Sequence, residues 1–173
     1  MPLPADLGPL LEAGSLGRRV AAIADVDLPV EGVSHGRIEA PLREVATPRD
    51  VAGRLVTAGS RARGAGGRWI ESDGGTVLWN DESGWTGVSR EVWEYTVGGF
   101  PVLAKWLSYR LESVLSGHDL DEFTAVARRV TALIQRGPDL DRLYSLARDR
   151  RLEVPRQVAS DAVGRGSAPV NLP

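Results

Sequence analysis

Glu91–Arg110, EVWEYTVGGFPVLAKWLSYR, is the stretch from which the rest of the chain can be read. Val92 to Val97 alternates, with Trp93, Tyr95 and Val97 on one face and Glu94 and Thr96 on the other. A period of two in β-branched and aromatic residues predicts a half-buried strand. Gly98-Gly99 comes next, a pair that can turn through backbone angles side chains forbid. Pro101 suits the first turn of a helix, where its missing N–H costs no hydrogen bond. Val102, Leu103, Trp106 and Leu107 then recur at helical spacing and are predicted to face a core. Lys105, Ser108, Tyr109 and Arg110 are left over to reach a partner. For Arg110, capping the C-terminus of its own helix is the simpler role.

Upstream, Arg68-Trp69-Ile70 and Thr76-Val77-Leu78-Trp79-Asn80 flank Asp73-Gly74-Gly75, a hairpin signal. With the stretch above they predict a three-stranded antiparallel sheet over residues 68–97. Trp69, Trp79, Trp85 and Trp93 sit in or beside it. They are candidates for stacking on bases, although core or rim is the ordinary place for tryptophans in a small sheet. Gly59–Gly67, GSRARGAGG, is a basic glycine-rich loop without the spacing of a phosphate-binding loop. It reads first as a hairpin connection; alternatively Arg61, Arg63 and Arg68 touch a DNA backbone. Thr47-Pro48 reads as a helix start, Thr as N-cap and Pro at the first helical position, with Val51, Leu55 and Val56 as its apolar face. Residues 1–46 are poorly defined. Leu7–Ala13 suits a short helix and Arg19–Leu28 a strand or a helix, and Pro29, Gly32 and Gly36 break any regular element beyond them.

Downstream, Leu120, Phe123, Ala127, Val130 and Ile134 step three and four residues apart, with Val126 and Leu133 widening the stripe. Asp119, Asp121 and Glu122 occupy the first turn, where the helix dipole favours acids. Gly137 is expected to stop this helix and Pro138-Asp139 to start another, with Leu140, Leu143, Tyr144 and Ala147 facing inward. The two should pack as an antiparallel pair. Arg128 and Arg129 lie off the apolar stripe, either solvated or paired with Asp121 and Glu122, or facing a ligand. Residues 154–173 lack periodicity and are expected to be disordered.

Composition sets the outer bounds. The 173 residues fit one domain with a real core, and 42% apolar and 25% charged residues are ordinary for a globular protein. No apolar run is long enough for a membrane span, and the N-terminus does not read as a secretory signal. The absence of cysteine rules out disulfides and thiolate metal sites and fits a cytoplasmic setting. A net charge of −2 offers no global attraction to nucleic acid, so any DNA contact requires a local patch. Lys105 is the only lysine among 21 basic residues. Arginine suits bidentate contact with phosphate or guanine, but codon usage in a GC-rich genome explains the bias as well.

Trp93, Tyr95, Val97, Gly98, Gly99, Phe100, Val102, Leu103, Trp106, Leu107 and Arg110 match a signature of the form W-x-Y-x-(V/I)-G-G-(Y/F)-x-V-L-x-x-W-L-x-x-R. The chain thereby resembles the C-terminal specificity domain of type ISP restriction–modification enzymes, from about Gly75 to Tyr144. The family often has Tyr where Phe100 stands here. The resemblance implies a non-catalytic target-recognition module for double-stranded DNA in phage defence. Such a module would act with a separately encoded methyltransferase or helicase-nuclease subunit. The resemblance also makes Arg128 and Arg129 DNA-facing candidates, beside Arg61, Arg63, Arg68, Lys105, Tyr109 and Arg110. The alternative is an interaction module that docks on such a subunit without touching DNA. Catalytic chemistry is nearly absent: His35 and His118 have no metal or nucleophile–base spacing, and no cofactor motif or N-P-P-(Y/F) occurs. The expectation is therefore no enzyme, no cofactor and no metal. The fold expected is α+β, a small antiparallel sheet followed by a three-helix C-terminal part, with residues 47–153 forming the specificity-like domain.

Overall fold

The computed structural model describes residues 8–57, 67–72 and 74–149. An N-terminal helix α1 (Gly8–Ala24) leads through a loop and a 3₁₀ turn (Ala40–Leu42) into strand β1 (Thr47–Asp50). Strands β2 (Arg68–Ile70), β3 (Thr76–Leu78) and β4 (Ser83–Thr86) come next. A short helix α2 (Arg90–Trp93), the hairpin β5 (Thr96–Val97) and β6 (Phe100–Pro101), helix α3 (Val102–Ser108) and helix α4 (Gly117–Asp149) complete the order. The class is α+β, as the sequence implies. The sheet, however, has four antiparallel strands in the order β1-β4-β3-β2.

The β2–β3 hairpin is the one the turn residues predict, with Trp69 opposite Val77. Its neighbours differ from expectation. Thr47-Pro48 opens a strand rather than a helix, and Val51 and Leu55 are 76% and 64% exposed instead of forming an apolar face. The Asp50 carboxylate accepts from the backbone N–H of Ala52 and Arg54, each at 2.9 Å, and closes a turn where a helix would have continued. Pro48 is tolerated because β1 is an edge strand. The third strand of the meander is Ser83–Thr86, not Val92–Val97. Ser89 caps α2 by accepting from Val92 N–H, so the chain coils through Arg90–Trp93. That rotation buries Val92, leaves Trp93 and Tyr95 half-buried and exposes Val97. Gly98 and Gly99 turn the β5–β6 hairpin with φ of 58° and 83°, the left-handed pair that a tight hairpin requires.

The core is aromatic where sheet meets helices. Pro48, Trp85, Val77 and Trp69 align across the sheet on its inner face. Trp85 stacks on Phe123 of α4 with centroids 3.8 Å apart, and Trp106 of α3 meets Phe123 edge-on at 5.2 Å. Leu103, Leu107, Leu120, Ala127 and Val130 are buried around them, as the helical spacing predicts. Trp69 donates its Nε1–H to the Val88 carbonyl at 2.8 Å, beside Gly75, where a Cβ would lie 2.0 Å from that oxygen.

Helix α4 corrects the second half of the reading. It runs unbroken for 33 residues with Pro138 inside it, and Gly137 keeps out of the left-handed region that would end it. The antiparallel partner of this helix is α1. Arg129 bonds to the carbonyls of Ala22 and Ile23 at one end of α1, and Arg142 pairs with Glu12 toward the other. Leu143 is buried, while Leu140 and Tyr144 are exposed. The tail over residues 154–173 lies outside the described residues.

Candidate functional site

The signature helix α3 is locked to α4 by a charged clamp. Arg110 donates from Nε to Asp119 Oδ1 at 2.9 Å and from Nη2 to Glu122 Oε2 at 2.8 Å. Its guanidinium lies 3.7 Å from the centre of the Trp106 ring, and Trp106 donates its Nε1–H to Glu122 Oε1 at 3.1 Å. Asp119 also accepts from Ser116 N–H at 2.8 Å and from Ser116 Oγ at 2.6 Å, a cap at the start of α4. The Ser116 hydroxyl and Arg110 hold its carboxyl down at a pKa of about 2, against the opposing effect of burial. Arg110 is thus a tie between two helices, and both its acidic partners are engaged.

Arg128 and Arg129, which follow Ala127, both bond back to the protein's own backbone, Arg128 half-buried and Arg129 buried. Arg128 donates to the carbonyls of Leu42 at 3.0 Å and Arg43 at 3.1 Å. Arg129 is 6% exposed. Its guanidinium binds the carbonyls of Ala22, Ile23, Asp25 and Leu28 and the Ser34 hydroxyl. Burial draws both guanidiniums below the ordinary arginine pKa, opposed by Asp121 and Glu44 at Arg128 and by Asp25 at Arg129. Arg128 keeps Asp121 as an electrostatic neighbour, but the hydrogen bonds of both guanidiniums go to backbone carbonyls of α1 and of the loops after it rather than to Asp121 or Glu122.

Of the other candidates, Arg61 and Arg63 lie outside the described residues. Lys105 and Tyr109 are exposed, with the ammonium 4.8 Å from the Tyr109 ring centre. They share an apolar groove of about 840 Å³ with Val97 and Phe100 of the hairpin, Trp106, and Val126 of α4. Arg110 and Arg129 reach the same groove, so the structure brings together four of the eight sequence candidates. His118 is on its rim; His35 is exposed elsewhere.

Arg68 sits apart, on the outer face of the sheet. Register places Arg49, Gly84, Leu78 and Arg68 in one row across the four strands. Three strand spacings put the two arginines' Cα atoms about 14 Å apart. On the Arg49 side of this row lies a depression of about 250 Å³ lined by Arg49, Asp50, Ile70, Thr76, Leu78 and Gly84. Gly84 opens it, because a Cβ there would lie 2.7 Å from the Val77 carbonyl and 2.9 Å from Leu78. Arg49 was missed by sequence reasoning, which had put it in a helix. The composition does carry a signal: residues 49–70 hold five arginines and one carboxylate, Asp50. That carboxylate bonds Arg54 at 2.7 Å.

Among the described residues, no group of three His, Cys, Asp or Glu side chains could hold a metal ion, and no helix is long and apolar enough to cross a membrane. The model of the type ISP C-terminal specificity domain family matches residues 26–134. The chain belongs to that family. The match starts in the loop after α1 and takes in the sheet, the signature hairpin, α3 and most of the buried part of α4. It describes a domain of target recognition within restriction–modification. No curated protein and no solved structure matches the chain.

Proposed function

We propose that this specificity domain reads duplex DNA with the outer face of its four-stranded sheet. It contributes no catalytic group of its own and works beside a separately encoded methyltransferase or helicase-nuclease subunit, in cytoplasmic defence against phage. Family membership over residues 26–134 is the observation that carries the reading. The row ending in Arg49 and Arg68 supports it, as two guanidiniums about three strand spacings apart on one sheet face suit contact with two phosphates and the groove between them. Arg49 gives an N–H to the Gly53 carbonyl at 2.8 Å, one of its five donors, which steadies the side chain for such a contact.

The test is fluorescence anisotropy of a labelled duplex across a salt series. Binding is expected to weaken steeply with salt, and Arg49→Ala and Arg68→Ala each to reduce the log–log salt slope by about one. Both variants should keep the wild-type melting temperature. Absence of binding at low salt would exclude DNA recognition by this chain alone.

A further inference from the structure

We propose that two copies of this chain associate face to face through the groove between the β5–β6 hairpin, α3 and α4, with Lys105 of each copy set against Asp27 of the other. The association needs neither DNA nor a catalytic subunit, so it stands or falls separately from the reading of the sheet face.

The groove has the composition of an interface. Five of the eleven exposed large apolar side chains among the described residues line it: Val26, Leu28, Val97, Phe100 and Tyr109. Clustered apolar surface of this kind marks an interaction site, and Phe and Tyr are among the residues enriched at such sites. The charges then select the occupant. Helix α4 forms the floor, with the loop after α1 as one wall and α3 with the hairpin as the other. Arg110 is neutralised by Asp119 and Glu122, and Arg129 is enclosed by carbonyls. That leaves Lys105 on one wall and Asp27 on the other. Both are exposed, and among the described residues neither forms an ion pair. A phosphate backbone would meet one cation and one repelling carboxylate, which gives it little to hold. A face with one charge of each sign on opposite walls is instead complementary to itself. A two-fold axis between the walls sets each Lys105 against the other copy's Asp27, so one contact is made twice. The available area agrees. At 65% and 73% exposure, Phe100 and Tyr109 each offer roughly 100–180 Å². With the three aliphatic side chains added, two facing copies would cover on the order of 1,000 Å², where specific interfaces begin.

The experiment is sedimentation velocity on the purified chain, over a concentration series that reaches the high micromolar range. The wild type is expected to sediment increasingly as a dimer as concentration rises. Lys105→Glu and Asp27→Lys each place like charges against one another at both contacts, and each should weaken the dimer at least about tenfold. Mixed in equal amounts, the two variants recover both opposite-charge pairs and are expected to dimerise with nearly the wild-type affinity. That rescue also shows that both variants fold, which circular dichroism checks independently. A wild type that stays monomeric throughout, a dimer indifferent to both reversals, or a mixture no tighter than the single variants overturns the proposal. Binding of a labelled duplex is followed in parallel. If the wild type stays monomeric and Lys105→Glu abolishes duplex binding, the occupant is nucleic acid and the proposal falls.

Discussion

A buried arginine that binds carbonyls is a structural part, and Arg129 is the most consequential one here. Its side chain satisfies four backbone oxygens and one hydroxyl between α1 and the loop after it. Arg129→Ala is expected to destabilise the protein by about 3–5 kcal/mol, read from urea unfolding, because buried carbonyls among those acceptors would lose their charged donor. Loss of DNA binding in that variant should track loss of fold. Asp119 supplies a pH dependence of known sign. Its folded pKa of about 2 lies below the ordinary aspartate value of 3.8, so its contribution is complete above that value and is lost as pH falls through 3.8 toward 2. With 24% of the side chain exposed, the contribution is about 1–2 kcal/mol. Asp119→Asn should remove that part of the acid-induced loss of stability, measured as unfolding free energy between about pH 5 and pH 2.5. Arg129's inward turn was not legible in the sequence, since Arg128 and Arg129 are adjacent polar residues on a helix and nothing local reports the loop that comes to cover them.

At the scale of elements, short-range chemistry was read well where one residue type forces one geometry. Gly98-Gly99 is such a case. A Cβ at either position would meet no neighbour, and the constraint is the left-handed φ alone. Gly99→Ala is therefore expected to cost about 1 kcal/mol, seen as a few degrees in melting temperature, without any packing loss. The 92–97 alternation misled because two amphipathic patterns overlap over six residues, and the Ser89 cap tipped the chain toward a helical turn. Pro138 misled for the opposite reason. Its preference for a helix start is real, but α1 packed alongside holds α4 continuous through it. Pro138→Ala should consequently stabilise the protein, by about 1–3 kcal/mol, by restoring a hydrogen bond within α4. A loss of stability in the same unfolding experiment would mean that a second helix starts at Pro138.

Across the whole molecule, the aromatic stack of Trp85, Phe123 and Trp106 joins sheet, α3 and α4 into one core, with the groove and the outer sheet face on opposite sides of it. Phe123→Ala is expected to cost about 3–5 kcal/mol and to loosen both faces together, visible as a single cooperative transition at lower temperature. The sequence by itself determined the α+β class, the β2–β3 hairpin, the glycine turn before α3, the apolar stripe of α4 and the family. Each of these rests on local spacing or on residue types whose backbone preferences are strong. The tertiary structure decided which strands joined the sheet, that α1 rather than a second C-terminal helix pairs with α4, and which cations reach solvent. The physical reason is that these depend on contacts between residues 33 to 130 positions apart, such as Asp50 with Ser83, Thr124 with Ala46 and Arg142 with Glu12. A guanidinium satisfies a distant carbonyl as readily as a phosphate, and only the folded chain shows which of the two is within reach.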